Sequence, residues 1–152
     1  METIEYFESL RKDFVGRSIK FTRLAGNSLI LYVDCEPGDK LGFTIWFTPT
    51  WHVKGITGVL VGSLQVETDE DNNGIEAFER GAESLLALRN KKILSLEIES
   101  LTYDLHLHLD GDFWVKTFVA DPEDEESWNI HDIKNKKYLI GSPHGLTQED
   151  NA

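Results

Sequence analysis

F-V-G-R-S-I-K-F-T-R-L-A-G-N-S-L-I-L-Y-V-D, from Phe14 to Asp34, decides how the rest of the chain is read, because a related stretch returns later. L-R-N-K-K-I-L-S-L-E-I-E-S-L-T-Y-D-L-H-L-H-L-D runs from Leu88 to Asp110, T-W-H-V at Thr50 to Val53 returns as S-W-N-I at Ser127 to Ile130, and L-V-G-S at Leu60 to Ser63 returns as L-I-G-S at Leu139 to Ser142. The offset drifts from 74 (Ile19 to Ile93) through 77 (Trp51 to Trp128) to 79 (Gly62 to Gly141), as small loop insertions would make it do. Recurrence of this kind signals repeated architecture. The reading is a single domain over residues 1–152, built of two repeats at about 1–66 and 74–142.

Working outward, each copy opens with an amphipathic pattern. Ile4, Phe7, Leu10 and Phe14 fall three and four apart, which puts them on one helical face, with acidic residues in the first turns and Gly16 to stop the helix. Ile75, Phe78, Ala82, Leu85, Leu86 and Arg89 repeat the theme after the acidic stretch Glu67–Gly74, which reads as a linker. Strands are expected at Ser18–Leu24, Leu29–Asp34, Phe43–Phe47, Val59–Val66, Ile93–Ile98, Tyr103–Asp110, Phe113–Val119 and Tyr138–Ile140, with Asp110-Gly111 as a hairpin turn. The expected fold class is therefore α+β and internally duplicated: two helices, each followed by antiparallel strands, in a pseudo-two-fold arrangement. Trp46, Trp51, Trp114 and Trp128 are expected in one core, and 143–152 as a flexible tail.

Composition narrows the function. The chain of 152 residues is 40% hydrophobic and long enough to bury a core. Its net charge of −12 disfavours nucleic acid and anionic membrane surfaces as partners and favours a basic one. The single Cys35 sits in the turn-like C-E-P-G-D-K without a His or a second Cys nearby, so neither a disulfide nor a reactive thiol is expected. No basic-then-apolar leader opens the sequence and no apolar run of membrane-spanning length occurs, so the cytoplasm is the expected location.

Three constellations stand out. In Y-D-L-H-L-H-L-D, strand alternation would set Asp104, His106 and His108 on one face, where an H-x-H pair with a carboxylate can bind a divalent metal; the plain alternative is the polar side of a half-buried strand. Asp121, Glu123, Asp124, Glu125 and Glu126 lie just before Trp128 and can hold the Lys and Arg of a basic partner. Because Trp51 takes the matching place in the first copy, Trp128 reads as structural and the carboxylates as the functional part. Glu67, Asp69, Glu70 and Asp71 can add to the same negative face or merely connect the copies. There is no nucleophile elbow, phosphate-binding loop, dinucleotide fingerprint, H-E-x-x-H or C-x-x-C.

G-R-S-I with L-I-L-Y-V-D and T-W-H-V, then N-K-K-I with L-H-L-H-L-D and S-W-N-I, resemble small uncharacterised bacterial proteins, some of which look like immunity proteins of polymorphic toxin systems. The resemblance implies a compact acidic protein that blocks a toxin and carries no catalytic residues. Three readings stay open: a non-enzymatic inhibitor of a basic protein, without cofactor; a metal-binding protein or metal-dependent enzyme using Asp104, His106 and His108; and a homodimeric or larger scaffold paired through sheet edges.

Overall fold

Alternation of buried and outward residues along short strands builds two antiparallel sheets around one core. The computed structural model describes residues 2–68, 73–119 and 121–150. Helix α1 (Thr3–Phe14) leads into β1 (Ile19–Ala25), β2 (Ser28–Val33), β3 (Phe43–Phe47), β4 (Trp51–Gly55) and β5 (Gly58–Gly62). Helix α2 (Ile75–Ser84) runs into a short 3-10 helix at Leu85–Leu88. Then come β6 (Ile93–Ile98), β7 (Leu105–Leu109), β8 (Phe113–Thr117), β9 (Trp128–Asp132), β10 (Lys137–Ser142) and β11 (Gly145–Asp150). One sheet has the order β1-β2-β3-β9-β10-β11 and the other β5-β4-β8-β7-β6.

The expected fold class is overturned. Among the described residues the structure is mostly β, 44% strand and 18% helical, in two sheets with two α-helices and the short 3-10 helix; it is not a duplicated α+β arrangement in which each helix and the strands after it form their own unit. Strands cross between the halves, so that β9, β10 and β11 complete the sheet begun by β1, β2 and β3, while β4 and β5 complete that of β6, β7 and β8. A two-stranded hairpin such as β4–β5 is marginal by itself. Joining across the halves yields one continuous core, with Leu29, Leu31, Ile45, Phe47 and Ile130 from the first sheet against Val53, Leu96, Leu105, Leu107 and Val115 from the second.

The helices close the open sides between the sheets. Helix α1 packs against β6 and β11, sending Phe7, Leu10 and Phe14 into the core, while Ile4 stays half exposed. Helix α2 lies against β5 and the 3-10 helix against β1; Gly81 faces Val61 and Val66, and Leu85 and Leu88 are buried, whereas Ile75 and Leu86 remain exposed. No helix among the described residues is long and apolar enough to cross a membrane.

Local likenesses coincide with the sequence recurrence. Gly16 and Asn90 both take positive φ, 90° and 69°, and asparagine is the side chain that best tolerates this region after glycine. The backbone N–H of Ser18 donates to Asp34 Oδ1 at 3.0 Å, and that of Lys92 to Asp110 Oδ1 at 2.9 Å. Trp51 and Trp128 are fully buried, and each indole N–H donates to a carbonyl in the other sheet's hairpin, Asn27 at 2.8 Å and Tyr103 at 2.7 Å. Trp46 and Trp114, expected beside them, face outward on the two sheets instead.

Other elements differ from the sequence reading. Trp51–Gly55 and Trp128–Asp132 are strands that pair with β8 and β3, partners distant in sequence. Gly145–Asp150, within the stretch read as a tail, is edge strand β11 and pairs with β10 along its whole length.

Gly62 and Gly141 recur in sequence yet differ in surroundings. A Cβ on Gly141 would lie 2.1 Å from the buried Trp128 ring, whereas one on Gly62 would meet nothing closer than 3.7 Å. In urea denaturation, Gly141→Ala is expected to destabilise by about 3 kcal/mol, and Gly62→Ala to change stability by less than about 1 kcal/mol.

Candidate functional site

Register fixes which side chains meet on the outer face of the six-stranded sheet. One cross-strand row runs Arg23, Ile30, Trp46, Asn129, Ile140. The next runs Phe21, Tyr32, Thr44, His131, Tyr138. Neighbours in such rows stand in side-chain contact. The face is therefore aromatic and largely apolar on the side turned away from the core.

Part of it is already packed. Ile30, Tyr32 and Cys35 form a small buried cluster with Phe21, Trp46 and Ile133 against it. Phe21 meets Tyr32 edge-on at 5.6 Å, and the Arg89 guanidinium lies 4.2 Å from the Phe21 ring. Burial pushes the Cys35 thiol pKa up, and its Sγ donates to the Phe43 carbonyl at 3.4 Å, so this cysteine is a packing residue. Against the cluster, Tyr32, Trp46, His131, Tyr138 and Asn129 wall an open depression of about 480 Å3, with Arg23 and Glu126 also lining it.

The acidic loop reaches this depression through its last residue. Glu126 Oε2 accepts from Asn129 Nδ2 at 3.1 Å and from Thr48 Oγ1 at 3.5 Å, which holds the carboxylate at the rim. Asp121, Glu123 and Glu125 are exposed and Asp124 is half-buried. Asp121 accepts the backbone N–H of Glu123 at 2.9 Å, a local turn that shapes the loop. Of the acidic linker, Glu67 accepts from Asn27 Nδ2 at 3.3 Å, while Asp69, Glu70 and Asp71 lie outside the described residues.

The Asp104, His106, His108 set does not converge. Tyr103 has a φ of 60° and β7 starts only at Leu105, so the alternation that would align Asp104 with the histidines stops short. Asp104 is buried; it accepts from the hydroxyls of Thr117 and Thr102, both at 2.8 Å, and from the Val119 N–H at 3.3 Å. It holds the β6–β7 turn to the end of β8. His106 and His108 do share the outer face of the five-stranded sheet, and His108 stacks on Trp114 with centroids 4.0 Å apart. Among the described residues no group of three or more His, Cys, Asp or Glu is placed to hold a metal ion.

The sequence reading missed Tyr32, Trp46, His131 and Tyr138. The signal was present in F-T-I-W-F, where strict alternation sends Trp46 out if Ile45 goes in. It was overridden by grouping all four tryptophans in the core. That β9 and β10 supply His131 and Tyr138 beside β3 was not readable from local pattern.

The comparisons give no further assignment: the chain matches no protein-family model, no curated protein and no solved structure.

His131 makes the face pH-sensitive. Its ring stacks on Tyr138 at 4.1 Å, its Nε2 is buried without a hydrogen-bond partner, and burial holds its pKa below the ordinary 6.5, opposed in part by Asp132. A depressed histidine pKa means the unfolded chain takes up the proton first. The stability from neutral His131 is thus present above the unfolded pKa and is lost as pH falls through it towards the folded value. His131→Gln is expected to lose less stability than the wild type between about pH 7 and about pH 5 in urea denaturation.

Proposed function

We propose that this chain is a non-enzymatic binding protein that occludes a basic protein partner, as an immunity-type inhibitor does, through the outer face of its six-stranded sheet and the adjoining loop 121–126. The observation that carries the reading is the open aromatic depression with the Glu126 carboxylate fixed at its rim. Trp46, His131 and Tyr138 are half-buried, and aromatic side chains presented on a rigid sheet are the usual anchors of a protein interface, because they bury much area for little lost conformational freedom.

The charge supports the same reading. A net charge of −12 draws a basic partner in from a distance, and carboxylates at the rim then pair with its Lys and Arg. The aromatic surface supplies contact energy, while the loop supplies encounter rate and orientation. Inhibition needs no chemistry beyond covering the partner's working surface.

Capture from the native lysate by the tagged protein, at low and at high salt, identifies the partner. A basic protein retained at low salt and released at high salt is the expected result. Glu123→Gln, Asp124→Asn, Glu125→Gln and Glu126→Gln combined should weaken its affinity about tenfold or more, mainly through the association rate. Trp46→Ala should weaken it comparably through the dissociation rate. Unchanged affinity in both variants would sink the assignment of the surface.

A further inference from the structure

The outer face of the five-stranded sheet carries a second set of side chains, basic rather than largely apolar. Register sets His52 opposite Lys116 and Lys116 opposite His106 across β4, β8 and β7. Lys54 lies opposite Trp114, which makes it the diagonal neighbour of Lys116. All four point away from the core, because Val53, Val115 and Leu107 between them point into it. Directly opposed Cβ atoms stand about 5 Å apart and diagonal pairs about 7–8 Å. Two ammonium groups and two imidazoles therefore lie within reach of one small ligand.

This cluster has little to balance it. Neither Lys54 nor Lys116 makes an ion pair among the described residues. The Lys116 ammonium rests 4.9 Å from the Trp114 ring centre. His108, the next histidine along, is already engaged with Asp112 at 3.0 Å. Glu97 stands directly opposite His106 on β6, and Asp104, Glu99 and Glu97 all act on His106, at the edge of the group away from Lys54. Burial and the Lys54 charge together hold the Lys116 pKa below that of an ordinary lysine. In a chain with 27 acidic and 15 basic residues, leaving two lysines side by side without a carboxylate is a cost that a bound anion would remove. The row also has room at its β5 end, where Gly62 stands beside His52 without a side chain.

We propose that this face binds a tetrahedral oxyanion of the sulfate or phosphate type, held between Lys54 and Lys116 and flanked by His52 and His106. The lysines supply charge and His52 and His106 supply N–H donors when protonated. His52 faces Lys54, Lys116 and His106; His106 faces Lys116, Asp104, Glu99 and Glu97. Burial and the neighbouring lysine charge hold both imidazoles below their usual pKa. A bound dianion favours their protonated forms, so affinity rises as pH falls.

The test is thermal unfolding of the whole chain in sodium sulfate against sodium chloride at equal ionic strength, with the His52 and His106 ring protons followed by NMR. The wild type should gain melting temperature in sulfate and show saturable shifts at both rings, several-fold tighter at pH 6 than at pH 7.5. Lys116→Gln should melt higher than wild type in chloride, since the repulsion is gone, and lose the sulfate-specific gain; Lys54→Gln provides the same comparison should Lys116→Gln fold poorly. An equal sulfate gain in wild type and both variants would mean general salting effects alone and would overturn the site. Inorganic phosphate and phenyl phosphate then separate the sources. Equal binding marks a free ion and tighter phenyl phosphate a phosphorylated larger molecule, whereas no binding of either overturns the proposal.

Discussion

The structure depends on a reciprocal set of backbone hydrogen bonds between residues 16–19 and 90–93. Gly16 N–H donates to the Ile93 carbonyl at 2.8 Å and Asn90 N–H to the Ile19 carbonyl at 2.6 Å; Ile93 N–H donates to Arg17 at 2.8 Å and Ile19 N–H to Lys91 at 2.9 Å. These bonds tie the start of β1 to the start of β6, where one sheet gives way to the other. The positive φ of Gly16 and Asn90 turns each chain into this junction. Asp34 and Asp110 then clamp the strands on either side, each taking a backbone N–H through its carboxylate and donating its own N–H back, to Ser18 and Lys92. Past this junction each half first adds two more strands to its own sheet, β2 and β3 or β7 and β8, before the chain crosses to complete the opposite one.

That crossing gives the molecule two outer faces of different character, one largely apolar and aromatic and one basic. On the six-stranded sheet, β3 brings Trp46 between Ile30 of β2 and Asn129 of β9, and the loop leading into β9 brings Glu126 to the rim. On the five-stranded sheet, β4 brings His52 and Lys54 beside Lys116 of β8. In both cases a strand from one half supplies the row that completes a surface begun by the other. Neither face could be assembled from a contiguous stretch of chain.

Local pattern revealed the candidate site only in part. The acidic loop was visible from composition, because five carboxylates within 121–126 need no partner to be recognised. Trp46 was visible from alternation within β3 but not from residue type, since a tryptophan is as readily a core residue as a surface anchor. Asp104 was misplaced because alternation was carried past Tyr103, whose left-handed backbone interrupts it. Its carboxylate serves Thr102, Thr117 and Val119 rather than a ligand shared with His106 and His108.

The sequence by itself determined α1, most of the strands, the buried face of β7, and a strongly acidic character, because periodicity and composition act over a few neighbouring residues. It also marked Trp51 and Trp128 as matching positions. Only the tertiary structure decided that the fold is mainly β, that Gly145–Asp150 is a strand, and that the two halves complete each other's sheets. Strand pairing is chosen by the hydrogen bonds and apolar area gained between residues far apart in sequence, and no local pattern records which distant strand will supply them.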